Sequence, residues 1–236
     1  MRYSCVIFDL DGTLANTIED IALSMNRALE YNGFPPVPPE EYREIVGWGI
    51  EKLALAALPE SLRKGQSLPA AGQPAAGEAP TEAGAIAQKV AADAARFYAE
   101  KPLVRSAPYP GIPELLSGLG RRKVKMAVIS NKPDFLARLV VQGLFPSAPF
   151  ALIRGEVPGT PRKPNPESSW EILAELGKTP GDTIFVGDSE IDMETALAAG
   201  CYPLGAGWGF RPRRAIEAAG AARVIDRPEE LLELFR

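Results

Sequence analysis

The chain has 236 residues, 46% hydrophobic and 24% charged, a balance that suits a globular protein able to bury its core without a disulfide or metal staple. Its net charge of −4 offers no basic field for nucleic acid, and no run reaches the ~18 apolar residues of a membrane span. Histidine is absent, so mechanisms that need an imidazole base or ligand are excluded, and carboxylates, lysine or a metal must carry any acid–base work. The two cysteines, Cys5 and Cys201, sit in apolar runs and read as buried free thiols of a reducing compartment. With no cationic-then-apolar leader, a cytoplasmic protein is expected.

Residues 4–8 (Ser-Cys-Val-Ile-Phe) form a short apolar, partly β-branched run that stops at Asp9, as a buried strand would. Asp9-Leu10-Asp11-Gly12-Thr13 follows. Strand side chains repeat every two residues, so Asp9 and Asp11 can point the same way, while Gly12 permits a sharp turn and Thr13 offers a hydroxyl. Such a pair can bind a hard cation, or divide into nucleophile and proton carrier. The plainer reading is an ordinary strand-end turn.

Residues 16–103 break the strand rhythm. Ile18, Ile21, Ala22, Met25 and Leu29 recur at helical spacing, as do Ile86, Val90, Ala94 and Phe97, which predicts a helical insertion after the first strand. Residues 64–85, rich in Ala, Gly and Pro, read as a flexible loop within it.

Near Pro110 the strand pattern resumes. Apolar runs at 124–129, 150–153, 183–186, 201–204 and 223–225 alternate with helical patterns at 133–142, 167–176 and 191–199. That alternation predicts an α/β fold with a parallel sheet covered on both faces. Three more segments fall at predicted strand ends or near them, on the edge where open α/β sheets bind ligands. Ser130-Asn131 could bind an anion or cap the next helix. Lys163 lies in Arg162-Lys163-Pro164-Asn165-Pro166, where two prolines stiffen the backbone that carries it. In Gly187-Asp188-Ser189-Glu190-Ile191-Asp192, Asp188 and Asp192 could face one cation, or Asp188 and Ser189 could simply cap the helix that follows. Arg211, Arg213 and Arg214 read as the solvated start of a helix.

The order and spacing of these four segments resemble the haloacid dehalogenase superfamily of hydrolases. The resemblance is nearest to the phosphoglycolate phosphatase-like branch, which also places a helical cap after the first motif; Tyr109-Pro110-Gly111, Ser130-Asn131-Lys132 and Val46-Gly47-Trp48-Gly49 are further echoes. It implies a Rossmann-like α/β core of residues 1–15 and 104–236, with residues 16–103 as the inserted cap. Asp9 would be the nucleophile and Asp11 the general acid and base. Mg2+ would be held by Asp9, the backbone carbonyl of Asp11, and Asp188, with Asp192 orienting a ligand or water. Thr13, Ser130 and Asn131 would bind phosphoryl oxygens, Lys163 would neutralise their charge, and Trp48 would either contact substrate or pack inside the cap.

The implied activity is Mg2+-dependent hydrolysis of a small phosphorylated metabolite, 2-phosphoglycolate first, by a monomer or homodimer. The alternatives are a phosphosugar mutase of β-phosphoglucomutase type and a non-catalytic binding protein on the same fold. Dehalogenation is disfavoured because Asp11 and the acidic pair are all present. Lys52 and Lys64, the cap lysines a phosphonate hydrolase would need, sit in no matching motif. Ala15-Asn16-Thr17 departs from the apolar-Asp-Ser continuation common in such relatives, which bears on the join between core and cap.

Overall fold

The computed structural model describes residues 3–63 and 81–235. Strand β1 (Cys5–Phe8) is four consecutive buried residues, and the chain leaves it at Asp9 to turn at Gly12. A two-residue strand β2 (Ala15–Asn16) then leads into helix α1 (Ile18–Tyr31). Helices α2 (Tyr42–Ile45), α3 (Ile50–Ala57), α4 (Glu60–Arg63) and α5 (Glu82–Glu100) follow, with α1 and α3 both packed against α5. Strand β3 (Ala107–Pro108) brings the chain back by pairing antiparallel with β2.

From there strand and helix alternate: α6 (Ile112–Arg121), β4 (Lys125–Pro133), α7 (Asp134–Leu144), β5 (Phe150–Glu156) and α8 (Glu167–Leu176). The series ends with β6 (Thr183–Gly187), α9 (Glu190–Ala199), β7 (Tyr202–Ala206), α10 (Arg213–Ala218) and β8 (Arg223–Ile225). Six strands form one parallel sheet in the order β5-β4-β1-β6-β7-β8. Alternation along β1 explains the two apolar layers: Val6 and Phe8 pack on one face with Val128, Ile184 and Leu204, while Cys5 and Ile7 pack on the other with Phe185, Ile172 and Ala196. Both cysteines are free and buried. Among the described residues no helix is long and apolar enough to cross a membrane.

The expected strands and helices are present, with three differences. β4 does not stop before Ser130 but runs on through Pro133, carrying Ser130, Asn131 and Lys132 within it. Of the expected loop at 64–85, residues 64–80 lie outside the described residues. Residues 82–85 belong to α5, whose first turn is capped by the Thr81 hydroxyl accepting from the Gly84 N–H. The β2–β3 ribbon was not expected, because two residues are too few to register as a strand pattern.

That ribbon is held beside a buried carboxylate. Asp20, in the first turn of α1 and 2% exposed, accepts from the backbone N–H groups of Arg105 (3.0 and 3.1 Å) and Ser106 (2.8 Å) and from the Ser106 hydroxyl (2.6 Å). The start of the helical segment is thereby tied to its return. Replacing Asp20 with Ala removes the shared acceptor of these part-buried donors, and should destabilise the protein by about 1–3 kcal/mol. Denaturant unfolding of Asp20→Ala checks this; a change within experimental error would show the tie to be dispensable.

Candidate active site

β1 sits between β4 and β6, where the strand order reverses, and its carboxyl end opens into a cleft. Asp9, Asp11, Ser130, Asn131, Lys163, Asp188 and Asp192 all line that cleft, so the four separated sequence segments converge. The opposite wall comes from the inserted helices, through Ile21 and Met25 of α1, Leu53 of α3, and Ala94 and Tyr98 of α5.

Three carboxylates form its floor. Asp9, Asp188 and Asp192 are buried, and one oxygen of each lies within 4.8 Å of the others. The Lys163 ammonium, itself buried, sits 2.5 Å from Asp9 Oδ1 and 2.7 Å from Asp192 Oδ1. Burial pushes the Asp9 carboxyl well above the ordinary carboxylate range, with Asp192 and Asp188 adding to the rise and Lys163 opposing it. Asp188 is raised to about 7, first by burial and then by Asp192, against the pull of the Phe210 N–H and the Thr13 hydroxyl. Lys163 is pushed upward because Asp192 and Asp9 outweigh its own desolvation.

A second buried pair stands beside the first. Lys132 Nζ lies 2.9 Å from Asp11 Oδ1 and 3.2 Å from Oδ2, and the Thr17 hydroxyl donates to Oδ1 at 2.6 Å. Apart from the Asp11–Lys132 pair, the three carboxylates of the triad meet one ammonium group among the described residues, an excess of two negative charges when all three are ionised. A hard divalent cation is the charge that balances it, and the all-oxygen triad of Asp9, Asp188 and Asp192 fits such an ion. The Asp11 carboxylate is outside that triad. Its tie to Lys132 leaves only the backbone carbonyl for the metal role expected of it.

Local structure places the ligands. Ser189 caps α9: its hydroxyl and N–H donate to Asp192 Oδ2 at 2.6 and 3.1 Å, which turns Oδ1 towards Lys163. Asp188 accepts from the Thr13 hydroxyl at 3.0 Å and from the Phe210 N–H at 2.7 Å. Gly12, at φ +95°, turns the chain so tightly under Asp188 that a Cβ there would collide with its carboxylate.

Several of the expected phosphate contacts have protein partners in this structure. Thr13, expected on phosphoryl oxygens, is fully buried and turns its hydroxyl to Asp188, the nearest anionic acceptor. The Asn131 amide is committed to the main chain: Oδ1 accepts from the Lys163 N–H (2.9 Å), while Nδ2 donates to the carbonyls of Lys163 (3.0 Å) and Gly47 (2.9 Å). Gly47 and Gly49 line the cleft; Trp48 between them does not, its ring lying 4.9 Å from the Lys52 ammonium. Ser130 accepts from the Lys132 N–H at 3.1 Å and keeps its hydroxyl proton to donate.

Sequence reasoning also missed residues. Lys132 carries no predicted role, although its position next to Ser130-Asn131 is a usable signal. Arg211, read as solvated, lines the cleft and donates to the carbonyls of Arg43, Glu44 (3.0 Å) and Val46 (3.0 Å). It thereby satisfies carbonyls at the end of α2 and just beyond it. Trp208 Nε1 donates to the Thr13 carbonyl at 3.0 Å, so the loop after β7 braces the first motif as well as Asp188.

Residues 6–206 match the haloacid dehalogenase-like hydrolase family. The chain belongs to that family. It is 32% identical to a phosphoglycolate phosphatase of Pseudomonas putida over 231 residues, 96% of this chain and 78% of that protein. It is 28% identical to an N-acetylmuramic acid 6-phosphate phosphatase of Pseudomonas aeruginosa, over 100% of this chain and 96% of that protein. A solved structure from Lactobacillus delbrueckii subsp. bulgaricus superposes with a TM-score of 0.84 at 29% identity, covering 100% of this chain and 99% of that one. The chain is accordingly a phosphatase of the haloacid dehalogenase superfamily, a phosphoric monoester hydrolase.

The raised Asp188 carboxyl gives a pH prediction. Its value rises from 3.8 to about 7 on folding, so folding without metal takes up a proton in that interval. The stability this contributes is complete below the lower value and lost as pH rises through about 7. The gain in Tm on adding a divalent cation should therefore be larger at pH 8 than at pH 6, measured against a chelator-treated control. An equal gain at both would contradict the assignment.

Proposed function

We propose that the protein hydrolyses a small phosphomonoester in a Mg2+-dependent reaction through an aspartyl-phosphate at Asp9, with 2-phosphoglycolate as its candidate substrate. The observation that carries this reading is the Lys163 ammonium bridging Asp9 and Asp192 beside Asp188. Asp9 is thus aimed by a fixed ammonium in a cleft whose uncompensated charge calls for a cation. The all-oxygen donor set favours Mg2+, which when bound would supply electrostatic stabilisation of the transferring phosphoryl group.

Asp9 attacks phosphorus through a carboxylate oxygen, and the leaving oxygen departs with a proton from Asp11. Asp11, now ionised, then takes the proton of the water that cleaves the aspartyl-phosphate. Thr17 and Lys132 hold Asp11 at the side of the cleft for both steps. Lys163 and the Ser130 hydroxyl are placed to donate to phosphoryl oxygens. Asn131 and Thr13 serve indirectly, by fixing Lys163 and Asp188. The apolar side chains of Ile21, Met25, Leu53 and Leu136 exclude water around the reacting group, which supports a small leaving group over the mutase alternative.

Asp9→Asn tests the nucleophile. It should fold normally, lose roughly 10⁴-fold or more in turnover, and incorporate no phosphate into protein. Wild type should release inorganic phosphate without forming a sugar-phosphate isomer. Retained turnover and phosphate incorporation in Asp9→Asn would refute the assignment.

A further inference from the structure

Beyond Asp11, and apart from Ser24, whose hydroxyl donates to the Asp20 carbonyl, two polar groups interrupt the apolar wall of the cleft among the described residues. The first is the Lys132 ammonium, which reaches Asp11 and lies 4.5 Å from the centre of the Tyr98 ring. The second is the Tyr98 hydroxyl. Tyr98 projects from α5, lines the cleft and is 3% exposed, and its hydroxyl has no hydrogen-bond partner among the described residues. Lys132 and Ser106 are close enough to influence its acidity, yet neither meets it in hydrogen-bond geometry. A buried hydroxyl left unpaired costs about 1–3 kcal/mol, so its presence in a ligand cleft points to an acceptor brought by the ligand.

We propose that Lys132 and Tyr98 form the leaving-group subsite, and that it takes a carboxylate carried on the carbon bearing the phosphate ester. This rests on the phosphatase reading above and adds the recognition chemistry. The other cations of the cleft are committed. Lys163 holds Asp9 and Asp192 and keeps its third N–H for the phosphoryl group, and Arg211 is engaged by main-chain carbonyls and Glu190. Lys132 directs at most two of its three N–H groups at Asp11, which leaves a donor beside the Tyr98 hydroxyl. A desolvated ammonium and a hydroxyl side by side complement a two-oxygen anion better than a neutral hydroxyl, because the charge-assisted bond is the stronger one.

Position sets the reach. Asp11 serves the ester oxygen, and Lys132 is one hydrogen bond from Asp11, so the anion must lie within a few bonds of that oxygen. A carboxylate attached to the ester-bearing carbon meets this condition; an acid group carried at the far side of a sugar ring does not. The two residues come from opposite sides of the cleft, Lys132 from β4 and Tyr98 from α5. The subsite is therefore complete only when helix and sheet edge are together.

The test compares kcat/KM for 2-phosphoglycolate and for its carboxamide, which keeps shape and loses charge. Wild type, Tyr98→Phe, Lys132→Met and Lys132→Arg are each assayed. Wild type should favour the carboxylate by about 30-fold or more, because both the ammonium and the hydroxyl would donate to an ionised acceptor. Tyr98→Phe should reduce that preference by about tenfold, chiefly through KM. Lys132→Met should abolish the preference whatever it does to Asp11, and Lys132→Arg should keep part of it.

If Tyr98→Phe and Lys132→Met slow both esters by the same factor, the residues only support the site and the proposal is overturned. Equal turnover of both esters by wild type overturns it too, while leaving the phosphatase reading intact. Failure to release phosphate from either ester overturns both. Should Lys132→Met not fold, Tyr98→Phe, which removes one oxygen atom, decides alone.

Discussion

The geometry of the cleft follows from a charge imbalance that the fold accepts. Asp9, Asp188 and Asp192 are packed within reach of one another at the end of the sheet, and Lys163 alone cannot neutralise them. In a desolvated space such repulsion is costly unless protons or a cation relieve it. The raised carboxyls of Asp9 and Asp188 are the protein's response in the absence of a cation. The same arrangement suits phosphoryl transfer, whose catalysis is chiefly positioning and charge stabilisation.

Much of the surrounding structure braces that cluster. Gly12 and the Thr13 hydroxyl crowd Asp188 from the first motif, and the Phe210 N–H holds its other oxygen from the loop after β7. Asn131 grips both main-chain polar groups of Lys163, so the ammonium reaches Asp9 from a fixed base. The helical segment is engaged through its backbone. Asn131, Arg162 and Arg211 donate to the carbonyls of Gly47, Trp48 and Arg43, Glu44 and Val46. Side chains of the sheet edge that brace the acidic cluster thus also hold the helical segment that covers it.

The fold was largely legible because apolar runs of four or more residues bounded by turns announce buried strands, and heptad-like spacing announces the helices between them. The four motif segments were legible because each falls at or near the end of a strand. Other features depend on contacts the sequence does not display. The β2–β3 ribbon has no periodicity to detect. Thr13 and Asn131 are of the residue types expected at a phosphate site, yet their hydroxyl and amide go to Asp188, Lys163 and Gly47, which only the folded chain brings near. Lys132 and Arg211 resemble ordinary surface cations until β4 and the loop after β7 carry them into the cleft. Trp48 stood out by its flanking glycines, and those glycines, not the indole, line the cleft.

The central claim is that the excess negative charge of the cleft exists to hold one divalent cation against Asp9. Anomalous diffraction from crystals soaked in Mn2+, a surrogate for Mg2+, tests it directly. One strong peak bonded to carboxylate oxygens of Asp9 and Asp188, with Lys163 still on Asp9 or Asp192, is the predicted result. A cleft without a peak at saturating Mn2+, or a peak bound away from Asp9 and Asp188, would contradict it.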